Sequence, residues 1–304
     1  MSTKVVQAPL NLSKKLIIPG FDGLPIYDVV IFFVQGIQKS SLTMRASSLA
    51  FRFFLALFPS IIFLFALIPY IPIDNFREQL LALIQSILPQ QANELANSTI
   101  EEVLTVKNDG LLSFGFLFAL YLASDGVNSM IMAFNNSYHA IKKGSYIKRR
   151  LRSFLLLAIL TLLMVTAIGL IVFSETFTMQ LVHTGYLENN ATIYLLKISK
   201  LILLLLLFFL GISSIYYYGN IQNNKFRFIS AGSTLATLLS ILLSTGFAYY
   251  VNNFSSYNKV YGSIGTLMVI MLWLYFNSLV LLIGFELNAS ISHAKENKLN
   301  KEKT

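Results

Sequence analysis

Long runs of apolar residues divide the chain into six segments that are each long enough to cross a membrane. A helix needs about 20 apolar residues to span roughly 30 Å of hydrocarbon. The pattern therefore predicts six transmembrane helices, at residues 49–72, 111–134, 153–173, 195–218, 228–251 and 263–285. The predicted fold class is an all-α integral membrane protein.

Two further segments have the period of an amphipathic helix. Residues 26–44 place apolar side chains on one face, which predicts an interfacial helix on the inner leaflet. In residues 73–110, apolar faces lie on both sides of Pro89, which predicts a helical hairpin that caps the outer surface. The expected domains are a cytoplasmic tail with the interfacial helix (1–46), the six-helix transmembrane domain (47–289) and a charged cytoplasmic tail (290–304).

The composition agrees with a membrane protein and excludes several kinds of site. Hydrophobic residues make up 55% of the 304 residues and charged residues 12%, and the mean hydropathy is +0.66, which is too apolar for a soluble globular protein. The chain has no cysteine and three scattered histidines, so thiolate metal sites are excluded and a zinc site is not expected. The sequence contains no phosphate-binding glycine loop or catalytic triad, and we expect no cofactor, no metal and no enzymatic activity.

The positions of the cations predict the orientation in the membrane. Of the 23 Lys and Arg residues, 17 lie in segments that would all face one side and three lie in the opposite connections. Because positively charged loops stay in the cytoplasm, both termini are expected there, in the inner membrane of a bacterial cell. The dispersed cations argue against a nucleic-acid partner. The patch from Lys142 to Arg152 sets the topology, and an additional role in holding anionic lipid headgroups stays open.

Four polar residues within the predicted spans are candidates for a functional site. A charge inside a membrane helix costs roughly 2.5 to 3.5 kcal/mol and needs a partner or a polar cavity. Arg52 and Asp125 lie at similar depths from the inner boundary, so an ion pair between them is predicted. Asn128 and Asn277 lie at the same level, and the four side chains together would line a cavity open to the cytoplasm. The simpler alternative is that Arg52 snorkels to lipid phosphates while the amides join helices.

Four other residues are expected to have structural roles. Pro59 removes a backbone hydrogen bond and should kink the first span. Glu286 lies nine residues after Asn277, on another side of the last helix, and a structural salt bridge or interface role is favoured for it. Gly262 and Gly265 are interpreted as the start of that helix and not as a nucleotide-binding motif.

Several stretches of the sequence resemble the YihY/virulence factor BrkB family. The strongest resemblance is YNKVYGSIGTLMVIMLWLYFNSLVLLIGFELNA at residues 257–289. It continues through SLAFRFFLALFP at 48–59, SDGVNSM at 124–130 and AGSTLATLL at 231–239. The resemblance implies a bacterial inner-membrane protein of six helices. Members of the family were once labelled ribonuclease BN, and links to the envelope and to lipid or lipopolysaccharide export have been suggested for relatives.

Three functions from different classes are consistent with the sequence. The preferred one is a transporter or flippase of a lipid or other anionic amphiphile, with membrane lipids as partners. The second is a noncatalytic membrane scaffold for envelope assembly. The third, an integral-membrane enzyme such as a ribonuclease, is disfavoured because no metal-ligand cluster or cytoplasmic domain is present in the sequence. The oligomeric state and the substrate are not determined by the sequence.

Overall fold

The computed structural model describes residues 20–39, 41–67, 109–136, 145–183, 190–220, 227–253 and 256–303. These residues are mostly α-helical, and no strand occurs among them. The helices are α1 (Ile26–Lys39), α2 (Leu42–Leu67), α3 (Asp109–Asn135), α4 (Tyr146–His183), α5 (Asn190–Gly219), α6 (Ala231–Asn253) and α7 (Ser256–Lys303). The predicted all-α class is therefore confirmed for the described part of the chain.

Five of the described helices are long and apolar enough to cross a membrane. The qualifying segments are Ser113–Asn135, Tyr146–Ile171, Tyr194–Gly219, Ala231–Val251 and Leu267–Asn300. The first predicted span is different, because α1 and the Leu42–Ser60 part of α2 meet the same criterion only as a pair bent by 66°. The count of six spans stays a prediction, as does the outer hairpin, whose residues 73–108 lie outside the described part of the chain.

The predicted interfacial helix ends earlier than expected. A single helix over residues 26–44 is wrong, because α1 ends at Lys39 and α2 begins at Leu42, with Ser41 in the left-handed region at φ 49°. Met44 consequently belongs to α2. The amphipathic pattern continued across this break because α2 also begins with apolar residues.

Helix α1 packs against the carboxy-terminal part of α7. Val29 is buried there with Leu287, Ile291 and Ala294. Residues 290–303, expected as a separate charged tail, continue α7 as helix. Burial of Ile291 and Ala294 against α1 favours this continuation, because it removes apolar surface from water. The two terminal segments predicted as separate regions thus form one layer.

The core lies where α2, α3, α5 and α7 meet. Its centre is an aromatic group in which Phe134 and Phe285 stack with ring centroids 4.4 Å apart, and Tyr216 packs edge-on against both. The Tyr216 hydroxyl donates a 2.8 Å hydrogen bond to the Leu281 carbonyl. Tyr216 is 1% exposed and therefore belongs to the core and not to a belt of tyrosines at the membrane interface.

Small residues let α6 and α7 approach closely. A side-chain carbon at Gly284 would lie 2.7 Å from the Gly232 carbonyl oxygen and 2.8 Å from the Ala236 methyl carbon. The Asn288 side chain accepts a 2.8 Å hydrogen bond from the Gly232 amide and donates one of 2.8 Å to the Ser230 hydroxyl. Close contact of small residues with polar links is a common way to join membrane helices.

Candidate functional site

The structure contains the ion pair expected between α2 and α3. Arg52 Nη1 lies 2.6 Å from Asp125 Oδ2. Arg52 is ten residues after the start of α2 and Asp125 is ten residues before the end of α3, so both lie about 15 Å of helix rise from the same end of the bundle. The Arg52 side chain is 45% exposed and that of Asp125 is 29% exposed.

A glycine next to the ion pair brings the two helices together. Gly126 follows Asp125, and a side-chain carbon at this position would lie 3.2 Å from the Phe53 ring, which follows Arg52. A larger residue would therefore push α2 and α3 apart at the depth of the ion pair. The close approach explains why the short aspartate can reach a residue on the neighbouring helix.

A second arginine approaches the same carboxylate from α4. Arg150 Nη1 is 3.5 Å from Asp125 Oδ1, and its side chain is 17% exposed. The guanidinium lies 5.3 Å from the centre of the Tyr121 ring and 5.4 Å from the centre of the Phe154 ring. These cation–π contacts hold the arginine in place, so it is not a freely moving surface cation.

Asn128 contacts a third arginine. The Arg149 Nε donates a 2.9 Å hydrogen bond to Asn128 Oδ1, and Asn128 is buried. Asn128 thus lies at the site as expected, one helical turn from Asp125. The contact with Arg149 was not expected, because Arg149 and Arg150 were interpreted as part of the patch that sets the topology, with a role in holding anionic lipid headgroups left open. The signal available in the sequence was their position directly after the connection from α3, which places them beside the inner end of that helix.

We call Arg52, Asp125, Asn128, Arg149 and Arg150 the arginine cluster. Three guanidinium groups and one carboxylate give it a formal charge of +2. An excess of positive charge near hydrocarbon is costly unless an anion accompanies it. Arginine matches the planar geometry of carboxylates and phosphates with two parallel hydrogen bonds. The arrangement is therefore chemically suited to binding an anionic group.

Asn277 does not join the arginine cluster. Its side-chain amide donates a 2.8 Å hydrogen bond to the Trp273 carbonyl within α7, and among the described residues it forms no hydrogen bond with Arg52, Asp125 or Asn128. The predicted cavity lined by all four residues stays a prediction. Helix α7 packs against α2, whereas the ion pairs form where α2, α3 and α4 meet.

Glu286 forms an ion pair with Arg45 that is separate from the arginine cluster. Arg45 Nη2 lies 3.6 Å from Glu286 Oε2, with the side chains 10% and 1% exposed, respectively. Arg45 also donates a 2.7 Å hydrogen bond to the Ala133 carbonyl, and Gly36 of α1 lies directly against the Glu286 carboxylate. The ion pair and its contacts therefore connect α1, α2, α3 and α7. The structural salt bridge expected for Glu286 is therefore present.

The remaining expected structural residues lie in α2 and α7. Helix α2 continues through Pro59 to Leu67, and the expected kink at this proline stays a prediction. Gly262 and Gly265 lie in the first turns of α7, where Gly265 is buried. In the described part of the chain, no group of three or more His, Asp or Glu residues is placed to hold a metal ion.

Comparison with known proteins identifies the family. The virulence factor BrkB profile matches residues 33–304. Bacillus subtilis YfkH, named as a ribonuclease-like protein, is 31% identical over 256 residues, which cover 83% of this chain and 90% of YfkH. A membrane protein of the UPF0761 group from Pseudoalteromonas atlantica is 25% identical over 85% of this chain and 84% of its own length.

Other relatives match over a shorter region. A UPF0761 membrane protein from Alteromonas mediterranea is 36% identical over 72 residues, or 24% of each chain. No solved structure gives a significant match. Since the family profile covers most of the sequence, the chain is a membrane protein that belongs to the virulence factor BrkB family.

Proposed function

We propose that the protein binds and moves an anionic amphiphile across the membrane, with the arginine cluster engaging the headgroup. The observation that supports this proposal most is the excess positive charge of the cluster at a partly exposed position within the bundle, where Arg52 is 45% exposed. Binding and translocation require no covalent chemistry, so the proposal includes no enzymatic activity, cofactor, metal or nucleic acid.

Apolar side chains next to the cluster support an amphiphile over a small soluble anion. Tyr121, Leu151 and Phe154 are exposed around Arg150, and Leu55 is exposed one turn beyond Arg52. A ligand with acyl chains would cover this surface while its headgroup reached the guanidinium groups. Single exposed apolar residues are normal in a membrane helix, but here they surround charged side chains that cannot themselves face hydrocarbon.

The orientation in the proposal follows from the charge distribution. The positive-inside rule places both termini in the cytoplasm and the arginine cluster in the inner half of the inner membrane. Arg52 lies seven residues beyond Arg45, which corresponds to about 10 Å of helix rise. A headgroup bound there would have left the inner interface and entered the bundle, as a transport step requires.

A cleft at the cytoplasmic end favours a second candidate function, the membrane scaffold. Between α1 and the carboxy-terminal part of α7 is a cavity of about 520 Å³. Its lining combines apolar side chains such as Ile31 and Phe32 with polar ones such as Asp28 and Lys298. A partner protein bound in this cleft would be the main interaction of a scaffold, and changes to the arginine cluster would then leave activity intact.

Transfer of a fluorescent anionic lipid across proteoliposomes tests the proposal. The purified wild-type protein should accelerate transfer over protein-free vesicles, and Arg52→Gln should slow it by about 10- to 100-fold, as expected for the loss of a charged hydrogen bond of 1.5 to 3 kcal/mol. Arg227→Gln is the matched control, because Arg227 forms an exposed ion pair with Asp22 away from the cluster. Equal transfer by the two variants and wild type, or no transfer at all, would contradict the proposal.

A further inference from the structure

We infer that the arginine cluster selects headgroups that end in a phosphate monoester over headgroups that contain only a phosphodiester. This inference rests on the proposed function and specifies its substrate class. A phosphate monoester carries about 1.5 to 2 negative charges at pH 7, whereas a phosphodiester carries one.

The charge balance of the cluster matches a dianion. Asp125 is shared by Arg52 and Arg150, at 2.6 and 3.5 Å, and Arg149 is bonded to the neutral Asn128. The one carboxylate therefore compensates one of the three guanidinium charges, and two positive charges remain. A monoanionic headgroup would leave one of these uncompensated, but a phosphate monoester would bring the net charge of the complex close to zero.

The arginines retain most of their hydrogen-bond donors. A guanidinium group has five N–H donors. Arg52 uses Nη1 toward Asp125, and Arg149 uses Nε toward Asn128. Arg150 has the 3.5 Å ionic contact and two ring contacts but donates no side-chain hydrogen bond to any described residue. The unused N–H groups of the three arginines fit the three terminal oxygens of a phosphate monoester better than the two free oxygens of a phosphodiester.

The surroundings point to a lipid as the source of the phosphate. Arg150 lies between the rings of Tyr121 and Phe154, both of which are exposed at the bundle surface. A free phosphate ion would leave these rings uncovered, whereas a lipid would place its glycerol and acyl chains over them. The assigned ligand is accordingly a lipid with a terminal phosphate monoester.

Binding of two lipids to the purified full chain in nanodiscs tests this assignment. We expect phosphatidic acid, a monoester, to bind at least about tenfold more tightly than phosphatidylglycerol, a diester, because charge-assisted bonds are the stronger ones. Inorganic phosphate should compete only weakly. Competition by inorganic phosphate at the same concentration as phosphatidic acid would overturn the assignment to a lipid, and equal binding of the two lipids would overturn the selection by charge.

The same lipid-binding measurement on variants that change the charge of the arginine cluster is the second part of the test. Arg149→Gln lowers the formal charge to +1 and should reduce the preference for phosphatidic acid to about equal binding. Asp125→Asn raises it to +3 and should tighten binding of both lipids, provided that the variant folds. Arg227→Gln should leave the preference unchanged. An unchanged preference in a folded Arg149→Gln protein would overturn the inference whatever happens to Asp125→Asn.

The same data distinguish this inference from the proposed function. Equal binding of both lipids that is lost in Arg52→Gln would refute the selection for monoesters while supporting an anionic-lipid site. Binding of neither lipid, or binding unaffected by any change in the cluster, would refute the proposed function as well.

Discussion

The buried ion pair between Arg45 and Glu286 should be much more sensitive to a single substitution than an exposed pair. Glu286→Gln removes the carboxylate and leaves the Arg45 charge in a position where its side chain is 10% exposed. Breaking a buried pair costs about 3 to 5 kcal/mol. Arg45 keeps its 2.7 Å bond to the Ala133 carbonyl and the ion pair is long at 3.6 Å, so the lower end, about 3 kcal/mol, is expected here.

Thermal unfolding in detergent measures this effect. The single tryptophan of the chain, Trp273, lies in α7, the helix that carries Glu286, and its fluorescence reports on this helix. We expect Tm to fall by about 6 to 12 °C in Glu286→Gln, since each kcal/mol corresponds to about 2 to 4 °C in larger domains. The double variant Arg45→Met with Glu286→Met should be considerably more stable than the single one, because no uncompensated charge remains.

The ion pairs of Asp22 with two exposed cations provide the control. Asp22 pairs with Arg227 and Lys295, whose side chains are 65% and 50% exposed. Asp22→Asn should therefore cost about 1 kcal/mol or less. If Glu286→Gln and Asp22→Asn lower Tm equally, or if the double methionine variant is less stable than Glu286→Gln, the reasoning about the buried pair is refuted.

Three other predictions follow from the packing and the charge distribution. Gly284→Val should destabilise the bundle by about 1 to 3 kcal/mol in the same assay, because its side chain would overlap α6; an unchanged Tm would contradict the close crossing. Tyr216→Phe should cost about 1 kcal/mol through loss of the bond to Leu281, and a cost near zero would indicate that the bond contributes nothing. Cysteines at Ser145 and Asn297 should be shielded from an impermeant thiol reagent in intact cells while one at Asn97 is labelled; the opposite pattern would reverse the orientation.

The ion pair of Arg52 and Asp125 could be predicted from depth together with the small number of charges in the apolar runs. Each lies within a long apolar run, and each run has a clear inner end, so counting residues at 1.5 Å per residue gave the relative heights. A charge in such a run needs a partner, and few were available. For Asn277 the same counting gives the depth but not the hydrogen-bond partner, which is the Trp273 carbonyl of its own helix.

The positions of Arg149 and Arg150, and the packing of α1 against α7, could not be predicted. They depend on contacts between helices that the hydrophobic pattern of the sequence does not determine. Arg149 and Arg150 lie in a cationic stretch that also sets the topology. The position of this stretch after α3 places it near that helix but does not show which of its arginines contact α3 and which face water. The break at Ser41 is a local left-handed conformation within an otherwise continuous amphipathic pattern. The burial of Tyr216 likewise depends on the contact with α7 and not on its tyrosine neighbours.

Native mass spectrometry of lipids retained by the purified protein tests the central claim most directly, namely that the arginine cluster binds an anionic headgroup. Wild type and the Arg227→Gln control should retain anionic lipid after delipidation in mild detergent. The double variant Arg52→Gln with Arg150→Gln has no excess positive charge in the cluster and should lose the anionic lipid. Arg52→Lys should retain less lipid than wild type, because lysine keeps the charge but lacks the planar guanidinium group. Equal retention by all four folded proteins would contradict the account.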